Sequence, residues 1–382
     1  MPLALYMLAL AVFVMGTSEF MLAGLLPAIA TDLDVTIGVA GLLTSAFASG
    51  MVIGAPLMAA FARRWPPRAV LLVCLIVFTA CHIVGAATPD FALLLATRVL
   101  SALANAGFLA VALATATTLV PADRKGRALA ILLSGTTIAT VAGVPAGALL
   151  GTALGWRTTF WTVALLCIPA AIGILRGIRK QPEQQATPPR LRAELSQLRT
   201  PRLLLTMTLG ALINGGTFAA FTFLAPVVTD TAGLNETWIS VVLVLFGVGS
   251  FIGVSLAGRL SDHRPGAVIA FGGPLLLLGW IALALLASHP TALLILVFTQ
   301  GVLSFGVGST LIARVLYAAA NAPTMGGSYA TAALNIGAAT GPILGGAALA
   351  GGAGTLGPVW TAAGLTGLAL VIAALNPKKV VS

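Results

Sequence analysis

The sequence predicts an all-α membrane protein whose twelve transmembrane helices form two copies of a six-helix unit. Composition gives the first reason, since 59% of the 382 residues are hydrophobic and only 8% are charged, whereas about a quarter of a soluble domain is charged. An internal repeat gives the second, because one offset of 199 residues aligns Pro27 with Pro226, Gly50 with Gly249, Gly54 with Gly253 and Gly147 with Gly346.

The twelve predicted spans are apolar runs that approach or exceed the roughly 20 residues needed to cross a hydrocarbon core about 30 Å thick. They cover residues 4–29, 39–62, 69–87, 91–118, 128–151, 156–175, 203–228, 237–258, 266–287, 291–316, 326–350 and 355–375. A run rich in proline and glutamine, 181–189, follows the sixth span, and such a run cannot build a core. We therefore expect a six-helix bundle at 1–175, a cytoplasmic linker at 176–202 and a second bundle at 203–382.

The placement of the basic residues explains the net charge of +10 without a nucleic-acid partner. Basic residues occupy the loops that follow the even-numbered spans, whereas the opposite loops contain only Arg157 and five acidic residues. Loops rich in lysine and arginine lie in the cytoplasm. We therefore expect both termini and the linker there, in a multi-pass membrane protein whose surroundings are the lipid bilayer.

Nothing in the sequence predicts an enzyme. The spans and the linker leave no stretch for a soluble catalytic domain, and Cys74, Cys81 and Cys167 lie inside spans at spacings that match no metal or redox motif. No glycine-rich loop ending in Gly-Lys-Ser/Thr is present, which excludes ATP use of that kind. We expect no cofactor and no metal. A duplicated six-helix unit is instead typical of a transporter in which one half rocks against the other.

Glu19 and Arg98 are the candidate proton-coupling residues. Glu19 is the only acidic residue deep within a predicted span, and Arg98 is a cation in span 4 whose counterpart in the second half is Val297. A lone arginine in a span costs at least about 2.5–3.5 kcal/mol and should face the interior with a partner. Glu19 lies within about one helical turn of Arg98 in depth, at 1.5 Å per residue, so it is the predicted partner.

A carboxyl group removed from water favours its protonated form, and an approaching positive charge favours loss of the proton. Glu19 is therefore predicted to carry a coupling proton; a static pair with Arg98 that only fixes helix packing is the alternative. A single buried carboxyl suits a proton better than sodium, which requires several oxygen ligands. His82 is expected on an outer helix and His289 in an outside loop, so neither is assigned a role.

Two further patterns stand out, one in a loop and one within two spans. The loop after span 8 reads Gly258-Arg-Leu-Ser-Asp262-His-Arg264, but the first-half loop has Ala59 and Arg63 in place of the glycine and the aspartate. Proline removes a helix hydrogen bond and glycine permits close approach, so glycine–proline runs predict bending; simple helix packing is the alternative. These runs contain Gly337, Gly341, Pro342, Gly345 and Gly346 in span 11, and Gly143, Pro145 and Gly147 in span 5.

Together with the stretch Arg98–Gly107 in span 4, these patterns resemble the major facilitator superfamily, in its drug:proton antiporter branch. The stretches Met15–Phe20 and Gly24–Pro27 and the turn Gly155–Arg157 resemble the arabinose-efflux-permease subgroup. The first 176 residues are similar to the chloramphenicol exporters of actinobacteria, and the resemblance continues along most of the chain.

The resemblance implies that spans 1 and 4 are neighbours that line a central cavity. It implies that Gly258, Asp262 and Arg264 form part of a cytoplasmic gate, and that the glycine–proline runs accompany export rather than uptake. Without the aspartate, the first-half loop is not expected to form such a gate. For both loops, a role in topology alone is the alternative.

The expected function is proton-coupled efflux of chloramphenicol or similar drugs by alternating access, carried out by a monomer and conferring resistance. A neutral, amphipathic drug suits an apolar cavity with a few polar anchors. An exporter or permease for a sugar or other metabolite is the alternative, although sugars need many hydrogen bonds. A channel would need a ring of charges or a filter loop. The candidate cavity residues are Asn105, Asn214, Phe218, Phe221 and Gln300.

Overall fold

The apolar runs of this chain form helices, since a backbone in lipid must satisfy its hydrogen bonds within its own segment. The computed structural model describes residues 1–61, 65–178, 191–261, 265–322 and 325–376, and those residues are helical with no strand. Twelve of the helices are long and apolar enough to cross a membrane, as predicted. Spans 1 to 12 are Leu3–Gly24, Ile37–Ala60, Pro67–Ala87, Phe91–Thr118, Lys125–Leu154, Trp156–Gly177, Pro201–Thr222, Thr237–Leu260, Gly266–Leu286, Pro290–Ala318, Gly326–Ala353 and Gly357–Leu375.

The last six spans repeat the first six at the offset found in the sequence. Span 3 begins at Pro67 and span 9 at Gly266, while span 4 begins at Phe91 and span 10 at Pro290. Both pairs of starting residues differ by the same 199 positions that align the glycine and proline landmarks. The two halves therefore share one helical plan, and equivalent positions in them can be compared residue by residue.

Local signals set several helix ends. The Asp90 carboxylate accepts a hydrogen bond from the backbone nitrogen of Ala92 at 2.8 Å and caps the start of span 4. Pro67 and Pro290 occupy the first turns of their helices, where a missing N–H costs nothing. Gly155 separates spans 5 and 6 with φ of 86°, a conformation that favours glycine.

Three spans, 1, 5 and 11, change helix type along their length. Span 1 is an α-helix at Leu3–Phe20 and a 3₁₀ helix at Met21–Gly24. Span 5 contains a π-helical turn at Ala139–Gly143, two residues before Pro145, in keeping with the missing N–H of that proline. In span 11, by contrast, Pro342 lies within a continuous α-helix, Gly326–Ala348, and the π-helical turn Leu349–Ala353 begins only after the glycine–proline run. A change of helix type at a predicted bending site is thus seen in span 5 only.

Glycine allows spans 7 and 11 to pack backbone against backbone. A Cβ atom added to Gly337 would lie 2.7 Å from the nitrogen of Gly215, and one added to Gly341 would lie 3.0 Å from the nitrogen of Ala219. Close packing of this kind replaces the hydrophobic effect as the force that joins helices in lipid. Both glycines therefore serve the packing role that the sequence left open.

The two halves meet at one end of the bundle. Gly38 in span 2 faces Gly346 in span 11, and a Cβ atom at Gly346 would lie 3.1 Å from the Gly38 oxygen. Gly24 lies between the halves as well, since its Cβ atom would approach Leu243 of span 8 at 3.0 Å. These contacts leave no room for side chains, so this end is closed.

The other end contains a cavity of about 1220 Å³. Its walls come from spans of both halves and include Met51, Trp65, Ile178, Leu316 and Ser328. Trp65 and Ile178 adjoin the basic loops that the sequence assigns to the cytoplasm. With that predicted topology, the cavity opens towards the cytoplasm.

The end of the predicted linker docks against span 11. A short helix, Leu191–Ser196, holds Glu194, whose carboxylate accepts from the backbone nitrogen of Met325 at 2.8 Å. The Tyr329 hydroxyl donates to the Glu194 carbonyl oxygen at 2.9 Å. The short helix therefore packs against the second bundle rather than standing free of it.

Candidate functional site

Glu19 lies at the point where span 1 changes from an α-helix to a 3₁₀ helix. Its half-buried side chain interacts with the side chain of Asn105 in span 4 and is within electrostatic reach of Arg98. The Asn105 amide nitrogen lies 3.7 Å from the sulfur of Met51, which lines the large cavity. Asn105 thus connects the carboxyl group to a residue of the cavity wall.

Arg98 is buried and held by Ser18 of span 1. Its Nη1 donates to the Ser18 hydroxyl and its Nη2 to the Ser18 carbonyl oxygen, each at 2.8 Å. The guanidinium group also covers the ring of Phe47, with Cζ 4.5 Å from the ring centroid, a favourable cation–π geometry. Spans 1 and 4 are thus neighbours, as the resemblance implied.

The expected direct pair between Glu19 and Arg98 is not formed. Their charged atoms are not within the 4.0 Å of a salt bridge, and the ion pairs among the described residues are Arg124–Asp123 and Arg157–Asp32. The physical reason is Ser18, which offers two oxygens in place of the carboxylate. Its carbonyl lies in the last turn of the α-helix, where carbonyls lack an intrahelical partner. The proton-coupling role of Glu19 stays a prediction.

His82 occupies a position that the sequence analysis did not foresee. It was expected on an outer helix, but its side chain is 1% exposed and its Nε2 lies 2.7 Å from the Ser18 hydroxyl. One face of span 3 is indeed peripheral, but the face that carries His82 packs against spans 1 and 6. The centroid of the His82 ring lies 5.6 Å from that of Phe160 in span 6. An apolar sequence in lipid does not reveal which face is inward, since lipid and core are equally apolar.

Of the three amides predicted to line the cavity, Asn105 and Asn214 each contact a residue of the cavity wall, and Gln300 does not. The Asn214 amide donates to the Leu334 carbonyl oxygen at 2.7 Å and joins spans 7 and 11. Gln300 is fully buried, and its amide donates to the Leu276 carbonyl oxygen at 3.1 Å, joining spans 9 and 10. The cavity assignment of Gln300 is therefore corrected, and both residues act as interhelical hydrogen bonds in this conformation.

The two predicted phenylalanines belong to an aromatic pocket between the halves. The rings of Phe218 and Phe221 are 6.2 Å apart, and Phe221 stacks on Phe246 at 4.8 Å. Phe20, the residue after Glu19, closes the group from span 1 at 5.8 Å from Phe218. Phe305 completes the cluster. The chain neighbour of the candidate proton carrier therefore contacts the candidate drug-binding rings.

The predicted bending and gate residues that the structure describes include both packed and unpacked glycines. Gly143 and Gly147 pack span 5 against spans 1 and 6, and Gly345 packs span 11 against Phe223 at the end of span 7. Gly258 has no neighbour within 4 Å of an added Cβ atom. Asp262 and Arg264 lie outside the described residues, so the cytoplasmic gate stays a prediction.

The sequence profile of the Major Facilitator Superfamily matches residues 8–333 of this chain. A chloramphenicol resistance protein of Streptomyces lividans is 65% identical over 378 residues, which cover 98% of this chain and 96% of that protein. The inner membrane transport protein YdhP of Escherichia coli K12 is 33% identical over 376 residues, 97% of this chain and 95% of that protein.

Solved structures share the fold. A bacterial homologue of the human lysosomal transporter Spinster, in an inward-facing and unoccupied conformation, has a TM-score of 0.75 at 18% identity and covers 99% of this chain and 96% of its own. The human organic anion transporter MFSD10 has a TM-score of 0.68 at 18% identity, with 97% of each chain covered. At this identity the two structures support the fold alone.

Proposed function

Because the chain belongs to the major facilitator superfamily, we propose that it exports chloramphenicol or similar drugs across the bacterial cytoplasmic membrane in exchange for protons. The observation that carries the proposal is the position of Glu19, whose partner Asn105 contacts the cavity residue Met51 and whose chain neighbour Phe20 lines the aromatic pocket. Among the twelve spans no other acidic residue is present. The Glu19 carboxyl group is thus the one acidic group of the spans that can exchange a proton close to a bound drug.

The cargo is supported by similarity and by the cavity walls. The relative from Streptomyces lividans bears the name of a chloramphenicol resistance protein. Alanine, leucine, methionine and isoleucine dominate the walls of the large cavity, with a few hydroxyl groups such as those of Thr115, Thr118 and Ser328. Such a lining suits a neutral amphipathic drug. A sugar would find too few hydrogen-bonding partners there, so the geometry favours the drug.

The proposed cycle uses the two halves, residues 1–175 and 203–382, as rocking units joined by the linker at 176–202. In the conformation described here, the drug enters the open cavity and binds at Phe20 and the neighbouring rings in exchange for the Glu19 proton, which passes to water in the cavity. The halves then rock, the contact between Gly38 and Gly346 separates, and the drug leaves on the other side. A proton taken up there by Glu19 resets the protein.

The gate and the oligomeric state belong to the same proposal. Gly258, Asp262 and Arg264 form a cytoplasmic gate that closes when the cavity does. A single chain contains both halves, the cavity and the carboxyl group, so we propose that the monomer is the transporting unit.

The test is accumulation of radiolabelled chloramphenicol in susceptible cells that express the chain, with and without a protonophore. The proposal expects low accumulation that rises when the proton gradient collapses. Cells that express Glu19→Gln at the same level are the matched control and should accumulate drug in both conditions. If cells expressing the wild-type chain accumulate as much drug as empty-vector cells, the cargo assignment is wrong.

A further inference from the structure

A buried chain of hydrogen bonds runs from Arg98 to span 3. Arg98 Nη1 donates to the Ser18 hydroxyl oxygen at 2.8 Å, and that hydroxyl lies 2.7 Å from Nε2 of His82. The other ring nitrogen, Nδ1, lies 2.7 Å from the carbonyl oxygen of Phe78. All three side chains, of Ser18, His82 and Arg98, are at most 1% exposed, so water does not compete for these contacts.

The partners determine the direction of each bond. A carbonyl oxygen only accepts, so His82 Nδ1 carries the proton that it donates to Phe78. In neutral imidazole the other nitrogen is then an acceptor, and the Ser18 hydroxyl donates to Nε2. The same hydroxyl oxygen accepts from Arg98. His82 thus acts as an acceptor that fixes the Ser18 rotamer and turns its oxygen towards the guanidinium group.

Ser18 is unusual among the hydroxyl residues of the spans. The hydroxyls of Thr17, Ser49 and Thr79 each donate to the carbonyl four residues earlier in their own helix, which is the common choice in helices. For Ser18 that carbonyl would be Val14. Without His82 the hydroxyl would turn to it, and its oxygen would leave Arg98.

From this geometry we infer that His82 is a positioning residue: through Ser18 it holds Arg98 away from Glu19, so that the carboxyl group is free to exchange its proton. This inference rests on the proposed coupling role of Glu19. Nη2 would still donate to the Ser18 carbonyl oxygen. In a medium of low dielectric constant, however, two opposite charges attract strongly, and Nη1, once released from the hydroxyl group, would pair with the Glu19 carboxylate. A captured pair is static and no longer exchanges a proton with the cavity.

The first test does not depend on the cargo. Dicyclohexylcarbodiimide adds to protonated carboxyl groups in apolar surroundings, and the product at Glu19 is quantified by mass spectrometry on purified protein. The wild type is expected to be labelled at Glu19, and His82→Leu to be labelled at least fivefold less. His82→Gln, whose side-chain oxygen can still accept from Ser18, should recover at least half of the wild-type labelling.

The result that overturns the inference is equal labelling of the wild type and His82→Leu, or a wild-type protein that is not labelled at Glu19. Equal loss in His82→Gln and His82→Leu would also overturn it, because only shape would then matter. Gel-filtration profiles and melting temperatures of both variants show whether they are folded, and Glu19→Gln supplies the unlabelled reference.

The second test uses transport and separates the inference from the proposed function. In proteoliposomes, His82→Leu should keep chloramphenicol counterflow within twofold of the wild type but lose proton-driven uphill transport at least tenfold. In Glu19→Gln the further change His82→Leu should have no effect on counterflow or uphill transport. A wild type without either activity refutes the chloramphenicol proposal and leaves the labelling result standing, whereas uphill transport by His82→Leu at the wild-type rate refutes the positioning role.

Discussion

The two halves have the same helical plan, but ionisable side chains of the first half correspond to apolar side chains of the second. At the offset of 199 residues, Glu19 corresponds to Phe218, Arg98 to Val297 and His82 to Ile281. The first half therefore contains a half-buried carboxyl, a buried guanidinium and a buried imidazole where the second has only apolar groups. In the proposed function the first half carries the proton, and the second half supplies the aromatic contacts to the drug.

Both halves have a phenylalanine at one equivalent position, and its two surroundings show the same difference. Phe47 in span 2 lies under the Arg98 guanidinium, with Cζ 4.5 Å from the ring centroid. Its counterpart, Phe246 in span 8, stacks on Phe221 at 4.8 Å and contacts Phe305 at 5.9 Å. The same ring stabilises a cation in one half and builds an aromatic pocket in the other.

Removal of the carboxyl group should have the largest effect. Glu19→Gln keeps the shape of the side chain but cannot exchange a proton, so pH-gradient-driven uptake of chloramphenicol into inverted vesicles should fall to background. Glu236→Gln, at an exposed position before span 8, is the matched control and should transport normally. Uphill transport by Glu19→Gln at the wild-type rate would place coupling elsewhere.

Copying the cation into the second half should destabilise the protein. Val297→Arg would bury a guanidinium where Val297 is 2% exposed and the equivalent of His82 is Ile281, at a cost of about 2.5–3.5 kcal/mol. A lower yield and a lower melting temperature in detergent are expected, with Val297→Leu close to the wild type. A Val297→Arg protein as stable as the wild type would show that the halves are chemically interchangeable.

Crowding the contact between spans 7 and 11 should have the next largest effect. Gly341→Ala would place a Cβ atom 3.0 Å from the Ala219 nitrogen, and overpacking of this kind costs about 1–3 kcal/mol. Gly258→Ala adds the same methyl group in open space and should leave the melting temperature unchanged. Equal melting temperatures for the two variants would argue against tight packing at Gly341.

Removal of the central ring of the aromatic pocket should weaken drug binding. Phe221→Ala is expected to raise the Kd for chloramphenicol about tenfold, or about 1.4 kcal/mol, because Phe221 contacts Phe20, Phe218 and Phe246. Phe271→Ala, at a side chain 72% exposed, is the control. Equilibrium binding with radiolabelled drug measures both, and an unchanged Kd for Phe221→Ala would exclude the pocket as the binding site.

The gate aspartate should have the smallest effect on binding. Asp262→Asn is expected to slow turnover in a transport time course while the Kd for drug stays near the wild-type value. Lys378→Gln, a basic residue of the C-terminal tail, provides a charge-change control. A wild-type time course for Asp262→Asn would reject the gate.

Much of the fold could be predicted from the sequence because membrane spans are long and uniformly apolar. The twelve spans, the repeat and the proximity of spans 1 and 4 were all foreseen. The buried position of His82 was not foreseen, and Gln300 was expected in the cavity rather than between spans 9 and 10, since a residue in lipid gives no periodic signal of its direction. Ser18 was missed for a related reason: a hydroxyl in a helix usually satisfies itself locally, and only three-dimensional packing shows that this one does not.

Proton release on drug binding is the most direct test of the proposal that the first half carries the proton and the second half binds the drug. Chloramphenicol is added to purified protein in weakly buffered detergent solution, and the released protons are followed with a pH-sensitive dye. The account predicts that the wild type releases protons, and that Glu19→Gln binds drug with a similar Kd but releases none. Proton release by Glu19→Gln equal to that of the wild type would contradict it.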